Sequence, residues 1–284
     1  MHMMRVPKED RQIVHLVSIF IGVAITGSAL VVNFILQVPT RPRWDDLVVL
    51  GIIVGAFPSA VANFVDRRWR DAIDRNMPYL VREISEGTRA GLSFVRAIEL
   101  SADRQYGPLT KEIKRIVAQL SWGVTLDRAL TDFANRVDTL TTRRTTFLLL
   151  EASRSGGNIQ GILEAIYDHV NTMELVEKER KSKIKPFISV SYIAFAIFVA
   201  VGILLFKVLF PQMAQIWKQA PGGFLGQAID IDAITRVFYH MANIEAFVGG
   251  LVAGKMGEAS TGAGLKHSLI LMVAAYLIFY LYVW

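Results

Sequence analysis

The 284-residue chain contains no cysteine. That excludes a disulfide framework, a thiolate metal site and a cysteine nucleophile, and it suits a reducing compartment. Histidine is scarce: His2, His15, His169, His240 and His267 are the five. None forms an HExxH pair or a close His/Asp cluster, so no metal site is assigned. No GxSxG nucleophile elbow occurs. Gly156-Gly157-Asn158-Ile159-Gln160-Gly161 has glycines at Walker spacing, but Ile162 stands where the phosphate-binding Lys belongs. Gly254-Lys255-Met256-Gly257 lacks the strand and glycine spacing of a nucleotide loop. No catalytic residue and no cofactor are assigned, and energy for any work must come from a partner. Alternating apolar and polar runs are also missing, which leaves an all-α fold.

Charge is missing from long windows and dense in others. A bilayer core about 30 Å thick takes roughly 20 apolar helical residues. Ile13 to Val38 carries no charge beyond that of His15, and Leu47 to Val65 carries none. Pro186 to Phe210 is apolar except for Lys207, which can snorkel at one end. Ser268 to Trp284 is uncharged and ends in an interfacial Trp. Val237 to Gly254 is apolar but holds His240 and Glu245, so it reads either as a further span or as an interfacial or re-entrant helix. The expectation is an integral membrane protein with four to five transmembrane helices.

The net charge of +6 reads as topology rather than nucleic-acid binding. Arg5, Lys8 and Arg11 precede the first span; Arg67, Arg68 and Arg70 follow the second; Lys178 to Lys185 precede the third. These clusters place the N-terminus and the middle of the chain in the cytoplasm. The divisions expected are 1–65 with two spans, a cytoplasmic helical domain over 66–185, and a C-terminal membrane region over 186–284.

The middle domain reads as a bundle of six helices. Leu109, Ile113, Ile116, Val117 and Leu120 share one helical face; so do Leu126, Ala129, Leu130, Phe133, Ala134 and Val137; so do Ile159, Ile162, Leu163, Ile166, Val170 and Met173. Gly91-Leu92-Ser93, Gly123-Val124-Thr125 and Gly156-Gly157-Asn158 punctuate it, with a glycine for the left-handed cap and a Ser, Thr or Asn to open the next helix. Pro78 and Pro108 suit first-turn positions. The last helix is expected to run from Ile159 to the membrane at Pro186, about 40 Å.

These residues carry a resemblance. Met77-Pro78-Tyr79-Leu80, Ala90-Gly91-Leu92-Ser93, Tyr106-Gly107-Pro108-Leu109, Trp122-Gly123-Val124-Thr125-Leu126 and Ser155-Gly156-Gly157-Asn158 appear in that order. The pattern resembles the F domain of type II secretion and type IV pilus systems, over roughly residues 66 to 284. Gly249 to Lys255 and Gly264-Leu265-Lys266-His267 resemble its archaeal branch, which includes archaellum and tight-adherence C-like pilus platform proteins. The resemblance implies a cytoplasmic-membrane platform that docks a hexameric secretion ATPase and moves pilin-like subunits into a filament. Many archaellum platform proteins carry two copies of this domain, and one is legible here. A homodimer, or pairing with a second F-domain protein, restores two.

Candidate contact residues follow. Arg143 and Arg144, lying between the apolar faces of two helices, can meet an acidic patch on the ATPase or simply face water. Lys178, Arg180, Lys181, Lys183 and Lys185 can meet the ATPase or anionic lipids, each charge adding about 1 kcal/mol near a charged leaflet. They also serve as positive-inside anchors. Glu245, a carboxylate within a span, is costly unless it has a task or lies at the interface. Gly51-x-x-x-Gly55 and Gly250-x-x-x-Gly254 suit close helix packing. Two other function classes are open to these residues. A channel or transporter would use Glu245 and His240. A signalling receptor would use Asp168-His169, but no kinase module follows.

Overall fold

The structure is a computed structural model that describes residues 8–34, 44–155, 159–219, 231–258 and 261–282. The glycines at 156 and 157, Asn158 and most of the loop 217–232 therefore lie outside the described residues. Among those described, no strand occurs. The helices are α1 (Lys8–Phe34), α2 (Trp44–Arg89), α3 (Phe94–Ser101), α4 (Pro108–Ser121), α5 (Leu126–Val137), α6 (Leu140–Arg154), α7 (Ile159–Leu204), α8 (Phe210–Gln219), α9 (Ile231–Glu258) and α10 (Thr261–Tyr282). A π-helical turn, Leu205–Leu209, joins α7 to α8.

The chain divides into two compact units: Val65–Arg180, and the described residues of Val6–Phe64 with Lys181–Trp284. The first is built from α3 to α6 with the later part of α2 and the earlier part of α7. Its core joins Ile73, Met77, Ile84, Leu109, Ile113, Phe133, Val137 and Leu163, all buried. Each such side chain removed from water contributes about 1.5–3 kcal/mol.

Two corners of this unit have the same construction. After α2, the Leu92 N–H donates to Gly87 O at 3.1 Å and the Gly91 N–H to Thr88 O at 3.0 Å. After α4, the Val124 N–H donates to Gln119 O and the Gly123 N–H to Leu120 O, both at 3.0 Å. This crossed pair satisfies the last carbonyls of each helix and requires a left-handed residue at the turn. Gly91 (φ 89°) and Gly123 (φ 81°) supply it. The Ser93 hydroxyl then accepts from Arg96 N–H to open α3.

The turn between α5 and α6 uses Asp138 at φ 58° instead of a glycine. Arg70 of α2 holds it by donating to the carbonyls of Val137 at 2.7 Å and Asp138 at 2.8 Å. These are carbonyls that the end of α5 leaves free.

Two expectations about proline need correction. Pro108 is the first residue of α4, as its fixed φ favours. Pro78, however, lies inside α2 and opens no helix. Likewise α7 runs through Pro186 without ending there. A proline forfeits one helical hydrogen bond, and both helices nonetheless continue on either side of it.

The second unit holds a separate core of Val49, Ile53, Phe195, Val199, Tyr239, Ala242, Ala246, Met272, Ala275 and Phe279. α9 and α10 lie antiparallel: Tyr239 stacks edge-on against Phe279 with centroids 5.5 Å apart, and Ser268 donates to Phe247 O at 2.7 Å. Among the described residues, three helical stretches are long and apolar enough to cross a membrane: Asp46–Arg89, Ile159–Met213 and Gly262–Tyr282. Gln12–Ser28 of α1 is apolar but shorter, and α9 falls short of that apolarity. The chain is an all-α membrane protein.

Candidate interaction surface

Helix α6 is turned inside out relative to an ordinary amphipathic helix. It buries Thr142, Thr145 and Thr146 and exposes Leu140 and Phe147, each 62% accessible. Part of the buried face meets α2. Asp74 accepts from the hydroxyls of Thr139 at 2.6 Å and Thr142 at 3.0 Å. Thr139 also caps the helix, accepting from Thr142 N–H at 3.1 Å. Arg143 and Arg144 are exposed on α6 itself rather than between helices, and Arg143 pairs with Asp138. Leu140, Arg144 and Phe147 follow the i, i+4, i+7 period, so one outward stripe combines a cation with two apolar side chains.

Within the same unit, Glu112 is the most buried charge of the bundle. It accepts from Arg115 at 2.8 Å and Arg136 at 2.9 Å, tying α4 to α5. Tyr106 is buried beside Glu83, and its phenol is pushed up to about 12 by desolvation first and that carboxylate second.

The basic run lies on α7. Arg180 is engaged by Glu177 through two hydrogen bonds of 2.8 and 2.7 Å. Lys178, Lys183 and Lys185 are exposed, and Lys181 is half-buried.

His240 and Glu245 lie five residues apart on α9, about 140° around its axis. His240 is exposed while one carboxylate oxygen of Glu245 is buried, so the fold does not bring the two to a common point. The glycines have defined neighbours. A Cβ on Gly55 would fall 2.7 Å from Gly22 Cα, and one on Gly51 would fall 2.8 Å from the Thr26 methyl. Gly250 and Gly254 leave no room for a Cβ against the backbones of Ser268 and Gly264.

Sequence reasoning missed three polar side chains. Asp46, just ahead of the charge-free window that starts at Leu47, is the third residue of α2 and only 5% exposed. Tyr239 and Asn243 of α9 are also buried, and Tyr239 lies within electrostatic reach of Asp46 and Asn243. The signal was present: two polar residues at i, i+4 spacing within an apolar window mark a face turned to protein. Among the described residues, no three His, Asp or Glu side chains gather as a metal site.

Residues 80–206 match the family described as "Type II secretion system (T2SS), protein F". A curated relative is an uncharacterized protein of the archaeon Methanocaldococcus jannaschii, 23% identical over 238 residues. That alignment takes in 84% of this chain and 38% of the relative, so the chain spans well under half of the relative's length. No solved structure matches. Residues 80–206 are thus similar to the type II secretion system protein F family, and a relative along most of the chain is archaeal.

Proposed function

We propose that this chain is the membrane platform of a type IV pilus-like, archaellum or type II secretion assembly machine. Its N-terminus and residues 66–185 face the cytoplasm. There the bundle docks a hexameric secretion ATPase, while the membrane helices guide pilin-like subunits from the bilayer into a filament. The observation that carries this reading is the F-family match on a helical membrane chain whose α6 turns Leu140, Arg144 and Phe147 to solvent. A stripe with two apolar anchors and an arginine suits a partner surface that offers a pocket and a carboxylate. Lys178, Lys181, Lys183 and Lys185 add attraction for anionic lipid or for the same partner. A second copy of the chain, or a second F-domain protein, completes the platform; the greater length of the relative agrees with such a need.

The test uses the full chain in nanodiscs and the secretion ATPase from the same genome. Arg144→Glu with Phe147→Ala should weaken binding at least about thirtyfold, the scale of one interface hot spot. Unchanged affinity would remove α6 from the interface, and no binding by the wild-type chain would remove the platform reading. ATP-driven motion reaches the membrane along α7, which the structure shows unbroken from Ile159 to Leu204. A Gly-Ser insertion after Thr172 should abolish filament assembly and leave ATPase binding intact. Assembly that survives the insertion rules out α7 as the path.

A further inference from the structure

A groove of about 390 Å³ runs between α1 and α2, with Leu265 of α10 in its wall. Its two ends differ in chemistry. At one end His15 Nδ1 and the Ser59 hydroxyl are 2.8 Å apart. Ser18, one turn further along α1, is 2% exposed, lines the groove, and its hydroxyl has no partner among the described residues. A buried hydroxyl without a partner is a cost that a ligand atom can remove. Next to Leu265, the Lys266 ammonium lies over the Phe64 ring at 5.2 Å, five residues along α2 from Ser59. The other end is apolar. Thr26 turns its hydroxyl back to Gly22 O at 2.8 Å and its methyl towards Gly51. Ile19, Val23 and Ile52 along the rim are 64%, 63% and 41% exposed, so the trough opens sideways onto what surrounds the helices.

The dimensions select an occupant. From His15 to Thr26 is eleven helical steps, about 16 Å, or half the roughly 30 Å core of a bilayer. A guest helix about 10 Å across would run on past both ends of a trough this short. It would also need the whole bilayer depth to satisfy its span. A single hydrocarbon chain needs one leaflet and little width.

We propose that this groove holds one chain of an anionic phospholipid. The phosphate head sits at the His15 and Lys266 end, the Ser18 hydroxyl donates to an oxygen of the head or its linkage, and the chain lies along Ile19, Val23 and Ile52. The site is independent of the ATPase-docking reading. Its ligand is defined by the shared chemistry of a phosphate on an apolar tail.

The test is native mass spectrometry of the full chain released from vesicles of equal phosphatidylglycerol and phosphatidylcholine. Retention should saturate at one tightly held lipid per chain. Phosphatidylglycerol should be preferred about fivefold, the effect of one cation near an anionic head. Ile19→Trp, a rim substitution that leaves both cores untouched, should abolish the tight lipid. Ser18→Leu should do the same from inside the groove. Lys266→Gln should erase the phosphatidylglycerol preference but keep the tight lipid. Inorganic phosphate at millimolar concentration should not compete, because the tail supplies most of the contact. Retention that never saturates, or that survives Ile19→Trp, overturns the site. So does displacement of the lipid by free phosphate or by a synthetic spanning peptide.

Discussion

The two units of this chain are both helical, yet they are held by different physics. The bundle of Val65–Arg180 hides branched and aromatic side chains such as Ile73, Leu109, Ile113 and Phe133, and its surface carries ion pairs such as Arg82–Glu86 and Arg154–Asp127. The membrane unit exposes Leu16, Phe20, Ile193, Ile197 and Leu281, each more than half accessible, and hides Ala242, Ala246 and Ala275. In water, exposing the first set would be ruinous; in lipid there is no hydrophobic drive to hide it. The bundle is therefore held by removing apolar area from water. The membrane unit buries large side chains such as Phe195, Tyr239 and Phe279 too, but at its closest backbone approaches, Gly55 against Gly22 and Gly254 against Gly264, only glycine fits.

Four measurements would break or sharpen that contrast. The largest effect belongs to Phe133→Ala in the bundle, where the side chain is 2% exposed. It should cost about 3–5 kcal/mol in chemical unfolding followed by a bundle-specific probe. The membrane unit should respond instead to addition of volume. Gly55→Leu forces a side chain against the Gly22 backbone and should cost about 1–3 kcal/mol in detergent titration, with the bundle's transition unmoved. If filling Gly55 proves harmless while Phe133→Ala is severe, close approach does not hold α1 to α2.

Gly123→Ala should cost about 1–2 kcal/mol, because φ 81° is unfavourable to any residue with a Cβ. Open space surrounds that position, so the loss would come from backbone alone. The smallest effect is confined to alkaline pH. The Tyr106 phenol titrates near 12 when folded and near 10 when not. Below pH 10 it is protonated in both states and changes nothing. As pH rises from about 10 towards 12 the unfolded chain loses the proton first, so stability falls. Tyr106→Phe should flatten this part of the bundle's pH–stability curve, and an unaltered slope would assign the loss to other groups.

Much of the bundle was legible in the sequence because its rules are local. Periodic apolar positions named the buried faces of α4 and α5, Gly123 named the corner between them, and Gly91 named the corner between α2 and α3. The turn at Asp138 was not legible. A left-handed Asp is ordinary only once Arg70, some seventy residues earlier, takes up the carbonyls beside it. The same long-range partnership hid the character of α6: its threonines look like a polar face until Asp74 is found to receive two of them. Arg143 and Arg144 consequently read as lying between helices.

In the membrane unit the spacing of Gly51 and Gly55 was visible, but not that Gly22 is their neighbour. The burial of Asp46 was not legible either, because nothing near it in sequence announces Tyr239.

By itself the sequence determined that this chain is all helical, that it enters a membrane, and that its middle region is similar to the F family. Those properties follow from local periodicity, charge-free length and short motifs, each read within a few tens of residues. Only the tertiary structure decided which helix passes through its prolines, which face of α6 meets solvent, and which polar side chains are buried together. The physical reason is that each depends on a partner distant in sequence, where packing and hydrogen bonding outweigh local preference.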